Sequence, residues 1–158
     1  MKKSIAVLMA VLCLVATAAV AGDVSPGIRG GITFDPDQVH FGAHLYAGEM
    51  FPHAFFVPNI EIGFGDNLTL VALNPELLYR FERTRGADWG FYAGGGLGVN
   101  FYSWDSSRIG DDSDTELGLN IVGGATRGLS SGNELFFEVK FGVADSPDGK
   151  LTVGLTFF

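Results

Sequence analysis

The chain has 158 residues, of which 23 are glycine, 47% are hydrophobic and 18% are charged. This hydrophobic content excludes an intrinsically disordered chain, and the glycine content argues against a helical bundle, because glycine in a helix costs about 1 kcal/mol relative to alanine. With 10 basic and 18 acidic residues, the net charge of −8 excludes the basic surface that nucleic-acid binding requires. The length allows one domain.

The first 21 residues have the features of a secretory signal peptide. Two lysines follow the initiator methionine, an apolar run covers residues 5–16, and Ala-Val-Ala at residues 19–21 fits a small-x-small cleavage site. A membrane-anchoring helix would need roughly 20 apolar residues. We therefore expect a signal peptide over residues 1–21 and one exported domain over residues 22–158.

The exported part alternates apolar and polar residues with a period of two in eight successive segments, the pattern of half-buried strands. The apolar positions of these segments span 28–34, 39–45, 56–64, 71–81, 91–101, 117–121, 135–143 and 151–157. The connections are short and rich in turn-forming residues, except for the acidic segment Ser103–Asp114. Eight strands with such connections predict an all-β, antiparallel, up-and-down barrel.

Two hairpins allow the register to be predicted. A two-residue turn at residues 66–67 pairs residues whose numbers sum to 133. It sets Pro58 opposite Pro75, and we interpret both prolines as lying close to the strand ends, where bonding to the flanking strands weakens. In the first hairpin, pairing residue 34 with residue 39 sets Arg29 opposite His44, and we expect His44 to be neutral there.

The alternation does not by itself say which face of the barrel points outward. A soluble barrel has apolar side chains inside, whereas a membrane barrel has an apolar outer band and a polar interior. The polar face is rich in glycine, as in residues 94–98, and this suits the crowded interior of a small barrel. Aromatic residues, among them Trp89 and Trp104, lie at or near strand ends, and the strands contain only two lysines.

These features favour a transmembrane β-barrel in the outer membrane of a Gram-negative bacterium. With both chain ends periplasmic, the acidic segment Ser103–Asp114 becomes the one long external loop. Two alternatives remain: an exported soluble periplasmic β-barrel that binds an apolar ligand, and a barrel that acts as a narrow-pore channel.

The sequence resembles the small outer-membrane β-barrels of the OmpA/OmpX type, also described as porin-family barrel domains. The resemblance rests on the signal peptide, the eight alternating segments, the glycine-rich stretch 90–98 and the ending Leu-Thr-Phe-Phe at 155–158. It implies a monomer that contacts outer-membrane lipid and lipopolysaccharide. It also implies that the barrel-assembly machinery reads the terminal aromatic residue, here Phe158, although Phe157 is the residue that continues the apolar face.

The predicted inward face collects ionisable side chains. They are Arg29, His40, His44, Glu61, Glu76, Arg80, Glu116, Glu138 and Lys140. Side chains fill the interior of an eight-stranded barrel, so we interpret this set as a lumen ion-pair network and expect no open pore. Buried charges need partners, and four glutamates against two arginines and one lysine suggest that a histidine or water contributes.

Other candidate sites have weaker patterns. The external loop presents Asp105, Asp111, Asp112 and Asp114, but Leu117 stands where a calcium loop of the EF-hand type needs glycine, so we expect a solvated loop. His40 and His44 share a face and would need a third ligand, such as Glu61, to hold a metal; no metal or cofactor is expected.

No nucleophile and base stand together in the sequence. Lipid A deacylases of the outer membrane use a neighbouring histidine and serine, and none of the three histidines here lies two residues from a serine. We therefore expect a non-enzymatic protein with a structural or surface-interaction role, such as membrane integrity or adhesion through the external loop.

Overall fold

The computed structural model describes residues 24–104 and 113–158. The predicted signal peptide and the loop residues Asp105, Asp111 and Asp112 lie outside the described residues. Eleven β-strands are present: β1 Ser25–Phe34, β2 Gln38–Tyr46, β3 Glu49–Phe51, β4 Ala54–Phe56, β5 Asn59–Gly65, β6 Leu68–Asn74, β7 Glu76–Arg80, β8 Trp89–Trp104, β9 Ser113–Gly128, β10 Glu134–Ala144 and β11 Gly149–Thr156. Within these two ranges, no helix is long and apolar enough to cross a membrane.

The strands form a closed barrel of eight barrel strands, because β2–β3, β4–β5 and β6–β7 are each one barrel strand with a short interruption. All neighbours pair antiparallel, and the first strand pairs with the last, from Gly27 opposite Thr156 to Phe34 opposite Gly149. The predicted eight-stranded antiparallel barrel is confirmed. We call the end that carries Ser25 and Phe158 the terminal end, and the end that carries turns 35–37, 66–67 and 145–148 the loop end.

The apolar face of the sheet points outward. In β2, His40 is 1% exposed and the next residue, Phe41, is 61% exposed. Both lysines of the strands, Lys140 and Lys150, are buried inside the barrel. This is the arrangement predicted for a membrane barrel and the opposite of the one in a soluble barrel.

The hairpin of β5 and β6 has the predicted register, from Gly65 opposite Leu68 to Asn59 opposite Asn74. Its turn residue Asn67 has a φ of 56°, in the left-handed region that asparagine tolerates. The predicted strand pairing around residues 66–67 is therefore confirmed.

The prediction for the two prolines of this hairpin is confirmed in part, because β5 begins directly after Pro58 and β6 ends directly before Pro75. The barrel strands do not stop at these prolines, however, because they resume beyond them as β4 and β7. Each proline lacks an N–H but still accepts a hydrogen bond through its carbonyl oxygen, from Leu45 N at 3.0 Å and from Leu97 N at 3.2 Å respectively. These bonds keep the flanking strands in contact across the interruption.

The predicted register of the first hairpin is wrong by two residues. Val39 pairs with Ile32, and not with Phe34, because the last pair before the turn is Thr33 with Gln38; Phe34 still belongs to β1 but pairs only with Gly149 of the last strand. Since two residues are one full period of a strand, every side chain keeps its predicted face. The cross-strand partners change, however, and His44 lies opposite Gly27 instead of Arg29.

The sixth barrel strand is longer than the sequence indicated. Strand β9 has 16 residues, Ser113–Gly128, and it pairs with β8 as far as Ser103 opposite Ser113. The acidic connection between β8 and β9 therefore covers a shorter range than Ser103–Asp114, and Asp114 belongs to the strand.

Inward-facing glycines allow the sheet to curve tightly. A Cβ atom on Gly31 would lie 1.9 Å from the carbonyl oxygen of Leu151, and one on Gly94 would lie 2.1 Å from that of Leu77. Real Cβ atoms cannot approach backbone so closely. The glycine excess of the polar face is therefore a requirement of the close backbone approach inside a small barrel.

Candidate functional site

The barrel interior contains a central cluster of six charged side chains from five strands. It comprises three cations and three carboxylates, all at most 5% exposed: Arg29, Lys140, Lys150, Glu61, Glu76 and Glu138. The formal charges of the cluster therefore balance without any contribution from a histidine. We refer to these six residues below as the central cluster.

Glu61 of β5 is the residue on which the cluster converges. Its Oε1 lies 3.1 Å from Arg29 Nη1 and 3.5 Å from Lys140 Nζ, and its Oε2 accepts a hydrogen bond of 2.6 Å from Lys150 Nζ. The single carboxylate of Glu61 therefore forms ion pairs with three cations, which lie on three other strands. Such an arrangement ties β1, β5, β10 and β11 together through the lumen.

The other two carboxylates of the cluster are held by both charged and neutral donors. Glu138 lies 3.2 Å from Arg29 Nη1 and accepts a hydrogen bond of 2.9 Å from the hydroxyl of Tyr92. Glu76 Oε1 forms an ion pair of 2.6 Å with Lys140 Nζ, without the geometry of a hydrogen bond. Hydrogen bonds to remaining oxygens are what make buried charge tolerable.

A chain of asparagines extends the cluster along the inner wall. Asn59 donates to Glu76 Oε2 at 2.8 Å, Asn74 donates to Asn59 at 2.8 Å, and Asn120 donates to Asn74 at 3.3 Å. Amides both donate and accept, so they pass hydrogen bonding from β7 to β9 without adding charge. These asparagines are not among the site residues predicted from the sequence.

Arg80 lies outside the central cluster. It forms an ion pair with Glu134 near the terminal end, and its guanidinium lies 4.7 Å from the centre of the Tyr46 ring. Arg83 also contacts Glu134, at 3.3 Å. The terminal end therefore has its own small ion network, in which two arginines share one carboxylate and one of them stacks on an aromatic ring.

Glu116 is half-buried near the loop end and takes part in none of the ion pairs between described residues. The structure instead brings in Lys150, which sequence reasoning missed. Lys150 has the same parity as Thr152 and Thr156, both inward-facing. If the alternating pattern of the last strand is continued toward its start, Lys150 is the next inward-facing position, and the sequence could have identified it in this way.

The two lumen histidines bind threonine hydroxyls. The ring nitrogens of His40 lie 2.9 Å from the Thr33 hydroxyl and 3.1 Å from that of Thr152. His44 Nε2 lies 2.9 Å from the hydroxyl of Thr156. Among the residues that the structure describes, no group of three or more side chains could hold a metal ion.

Three cross-strand pairs of an aromatic ring and a glycine lie next to the cluster. His44 lies opposite Gly27, Phe136 opposite Gly154 and Tyr92 opposite Gly124. In each pair the ring covers the glycine, and a Cβ there would meet the ring at 2.2–2.5 Å. The rings of His44 and Phe136 also contact each other edge to face, at 5.2 Å between centres.

These rings lie beside a small apolar core on the inner face of the barrel. Val57, Leu78 and Val122 are 1% exposed and form a small apolar core with Tyr46 and Tyr92 on the inner face. The charged cluster, the aromatic rings and this core all lie inside the barrel. Chemically, such an interior can bind the strands to one another, and its charged groups are already occupied by partners.

No model of a known protein family matches the sequence, and no curated protein matches it as a relative. Solved structures do share the fold. The N-terminal β-barrel domain of Pseudomonas aeruginosa OprF superimposes with a TM-score of 0.66 at 12% identity, covering 85% of this chain and 95% of that one. Neisserial surface protein A gives a TM-score of 0.62 at 14% identity, covering 85% and 94%.

The outer-membrane enzyme PagL is a further structural neighbour, with a TM-score of 0.51 at 13% identity, covering 86% of this chain and 99% of that one. The fold is therefore shared with at least one enzyme of the outer membrane. Because all these identities are low, they establish the fold and leave activity to be argued from the site. The chain has the fold of the small outer-membrane β-barrels.

Proposed function

We propose that the protein is an integral outer-membrane β-barrel with a structural or surface-interaction role, and that its lumen is closed by ion pairs. The observation that carries the proposal is the combination of an apolar exterior with a neutral charge cluster inside, in which each of the six residues has at least one ion-pair partner. A soluble barrel would have to expose the apolar face to water, whereas lipid solvates it.

The exterior supports a membrane location. Exposed apolar side chains cover successive strands around the barrel, for example Phe41 at 61%, Phe91 at 60%, Ile121 at 57% and Phe141 at 57%. Contiguous apolar surface of this extent is unusual on a soluble monomer. A closed barrel also satisfies the backbone hydrogen bonds that lipid cannot.

The interior favours the interpretation of the barrel as a closed scaffold and argues against a conducting channel. Water-filled pores occur in barrels of 16 or more strands, whereas side chains fill the interior of an eight-stranded barrel. Here the filling side chains are mutually neutralised, as Glu61 contacts Arg29, Lys140 and Lys150. An ion crossing the lumen would have to break these buried pairs.

The loop end supports a role at the surface. Its described turns expose Asp35, Asp37, Asp66, Asp145 and Asp148. The loop that joins β8 to β9 adds Asp105, Asp111 and Asp112. We place this acidic end at the cell exterior, in contact with lipopolysaccharide and its divalent counter-ions, and we take Phe158 as the signal that the barrel-assembly machinery reads. The barrel is proposed to be a monomer.

The protein is proposed not to be an enzyme. Within the described ranges no hydrogen bond joins a histidine to a serine, and the bonds of His40 and His44 go to buried threonine hydroxyls. A substrate would have to displace packed side chains to reach them. A purified barrel that deacylates lipid A would contradict this part of the proposal.

Membrane fractionation followed by gel electrophoresis with and without heating tests the proposal. We expect the protein in the outer-membrane fraction, with a folded form whose mobility changes when the sample is boiled. Recovery of the protein in the soluble periplasm, with stability in the absence of detergent, would support the alternative of a soluble barrel and overturn the proposal.

A further inference from the structure

We propose that the outer surface of the barrel binds one glycerophospholipid, with an acyl chain in an apolar groove and the headgroup phosphate at Arg127. This inference rests on the proposed function, because only a barrel embedded in a membrane meets such a ligand from the side.

The groove crosses the outer face over β8–β11 and β1 and has a volume of about 960 Å³. It is a shallow depression open to the outside and not an enclosed cavity. Gly123 and Ala125 of β9 form its floor, and Phe91 and Phe137, which pair with Ala125 from either side, form its walls. A low floor between aromatic walls has the shape of an extended alkyl chain.

Gly123 is a glycine that the fold does not require. A Cβ atom placed on Gly123 would meet nothing within 4 Å, whereas one on the adjacent Gly124 would lie 2.3 Å from Cζ of Tyr92. Glycine inside a strand is otherwise destabilising relative to alanine. Its effect at position 123 is to keep the groove deep on the lipid-facing side.

The side chain of Arg127 lies next to the groove on the side of the terminal end. Arg127 is the next outward residue of β9 after Ala125, and its Cζ lies 5.7 Å from the centre of the Trp89 ring. Trp89 in turn packs at 5.9 Å from Phe137, a wall of the groove. The apolar groove and the Arg127–Trp89 pair are therefore one continuous surface.

The charge of this surface identifies the ligand. Arg127 has a single ion pair among the described residues, 3.7 Å from Asp88, and both side chains are exposed, at 48% and 75%. Such surface pairs are weak, so the guanidinium keeps donors for a phosphate, which arginine binds in bidentate fashion. A ligand that matches both parts of this surface has an alkyl chain for the apolar groove and an anionic phosphate for Arg127.

The position along the barrel selects the source of that phosphate. Trp89 and Arg127 pair at the terminal end, where aromatic and basic side chains meet the headgroup region of a bilayer. In the proposed orientation this end faces the periplasm, and the periplasmic leaflet supplies glycerophospholipid rather than lipopolysaccharide. We therefore assign the groove to a phospholipid of net negative charge, whose phosphate has no cationic group beside it to compete with Arg127.

Tryptophan quenching by brominated lipid tests the assignment. Trp104→Phe leaves Trp89 as the sole tryptophan, and the protein is reconstituted into phosphatidylcholine vesicles with a fixed fraction of either brominated phosphatidylglycerol or brominated phosphatidylcholine. We expect brominated phosphatidylglycerol to occupy the site with about fivefold preference, the effect of one arginine at an anionic headgroup. Arg127→Gln should abolish the preference, and Arg85→Gln, an exposed arginine at the same end, should retain it.

Two further variants separate the acyl groove from the headgroup site. Gly123→Leu fills the groove without a backbone clash and should reduce quenching by both brominated lipids. Asp88→Asn removes the competing carboxylate and should raise the preference for phosphatidylglycerol. Both results would support the model of one ligand bridging the groove and Arg127.

The outcomes distinguish this inference from the proposed function. Failure of the protein to insert into vesicles overturns both. Insertion with equal quenching by the two lipids, or equal preferences in Arg127→Gln and Arg85→Gln, overturns the lipid site alone. Stronger occupancy by a brominated lipid A than by phospholipid also overturns the assignment, because the phosphate would then come from the other leaflet.

Discussion

Neutralising Glu61 tests whether the central cluster holds the barrel together. Glu61→Gln removes one negative charge from a carboxylate that is 1% exposed and contacts Arg29, Lys140 and Lys150 at 3.1, 3.5 and 2.6 Å. Three buried cations would then face two carboxylates. Removing one partner of a buried pair costs about 3–5 kcal/mol, and we expect a loss of free energy of unfolding in this range.

The assay is urea unfolding of the barrel in lipid vesicles, followed by tryptophan fluorescence. Glu116→Gln is the matched control, since it makes the same chemical change on the same face of the sheet, at a half-buried glutamate near the loop end. We expect the control to cost less than about 1 kcal/mol, as for exposed charges. Equal losses in the two variants would refute the reasoning that the cluster is a balanced, buried network.

Removing a cation should partly rescue the Glu61 variant. Adding Lys150→Met to Glu61→Gln leaves two cations against two carboxylates and restores neutrality. The double variant should therefore be more stable than the sum of the single effects, with a coupling of roughly 0.5–3 kcal/mol. Additive losses would show that the two residues do not act through a shared charge balance.

Three further outcomes follow from the packing of the lumen and from the chain terminus. Gly124→Ala should lose about 1–3 kcal/mol of unfolding free energy because a Cβ there overlaps the Tyr92 ring, whereas Gly123→Ala should be neutral or stabilising; equal urea midpoints would contradict the packing. The wild-type barrel should add no steady conductance to a planar bilayer, and regular channel steps would revive the narrow-pore reading. Phe158→Ala should reduce the amount of barrel assembled in the outer membrane without changing its stability in vesicles; unchanged assembly would contradict the role given to this residue.

The two-residue alternation of apolar and polar side chains predicted most of the fold. Successive side chains of a strand point to opposite faces, so the face of each residue can be predicted even when the strand pairing is not known exactly. The first hairpin shows this clearly. Its pairing was wrong by two residues, yet His40 and His44 still point inward, since a shift of two residues preserves the face. The outward direction of the apolar face needed other evidence, namely the glycine-rich polar face, the aromatic residues near strand ends and the presence of only two lysines in the strands.

The ion pairs of the lumen could not be predicted in the same way. Contacts such as that of Glu61 with Lys150 cross the interior between strands that are not neighbours. They depend on the stagger and tilt of the closed sheet, which alternation does not encode. For this reason Arg80 and Glu116, although predicted with the correct face, lie away from the central cluster, and Lys150 was missed.

The interruptions at Pro58 and Pro75 show a second limit of sequence reasoning. Proline chemistry predicted weakened bonding at these positions, but not that the strands resume on the far side as β4 and β7. The carbonyl oxygens of both prolines still accept bonds from the neighbouring strands. Closure of the barrel therefore holds the strands together where local preference would end them.

The central claim is that the apolar face of the barrel is solvated by lipid. Phe141→Trp, in a background with Trp89→Phe and Trp104→Phe, places a single tryptophan on the outer face at a position that is 57% exposed. In vesicles, its fluorescence should be quenched by brominated acyl chains and protected from aqueous iodide. Quenching by iodide with no effect of brominated lipid would contradict the account.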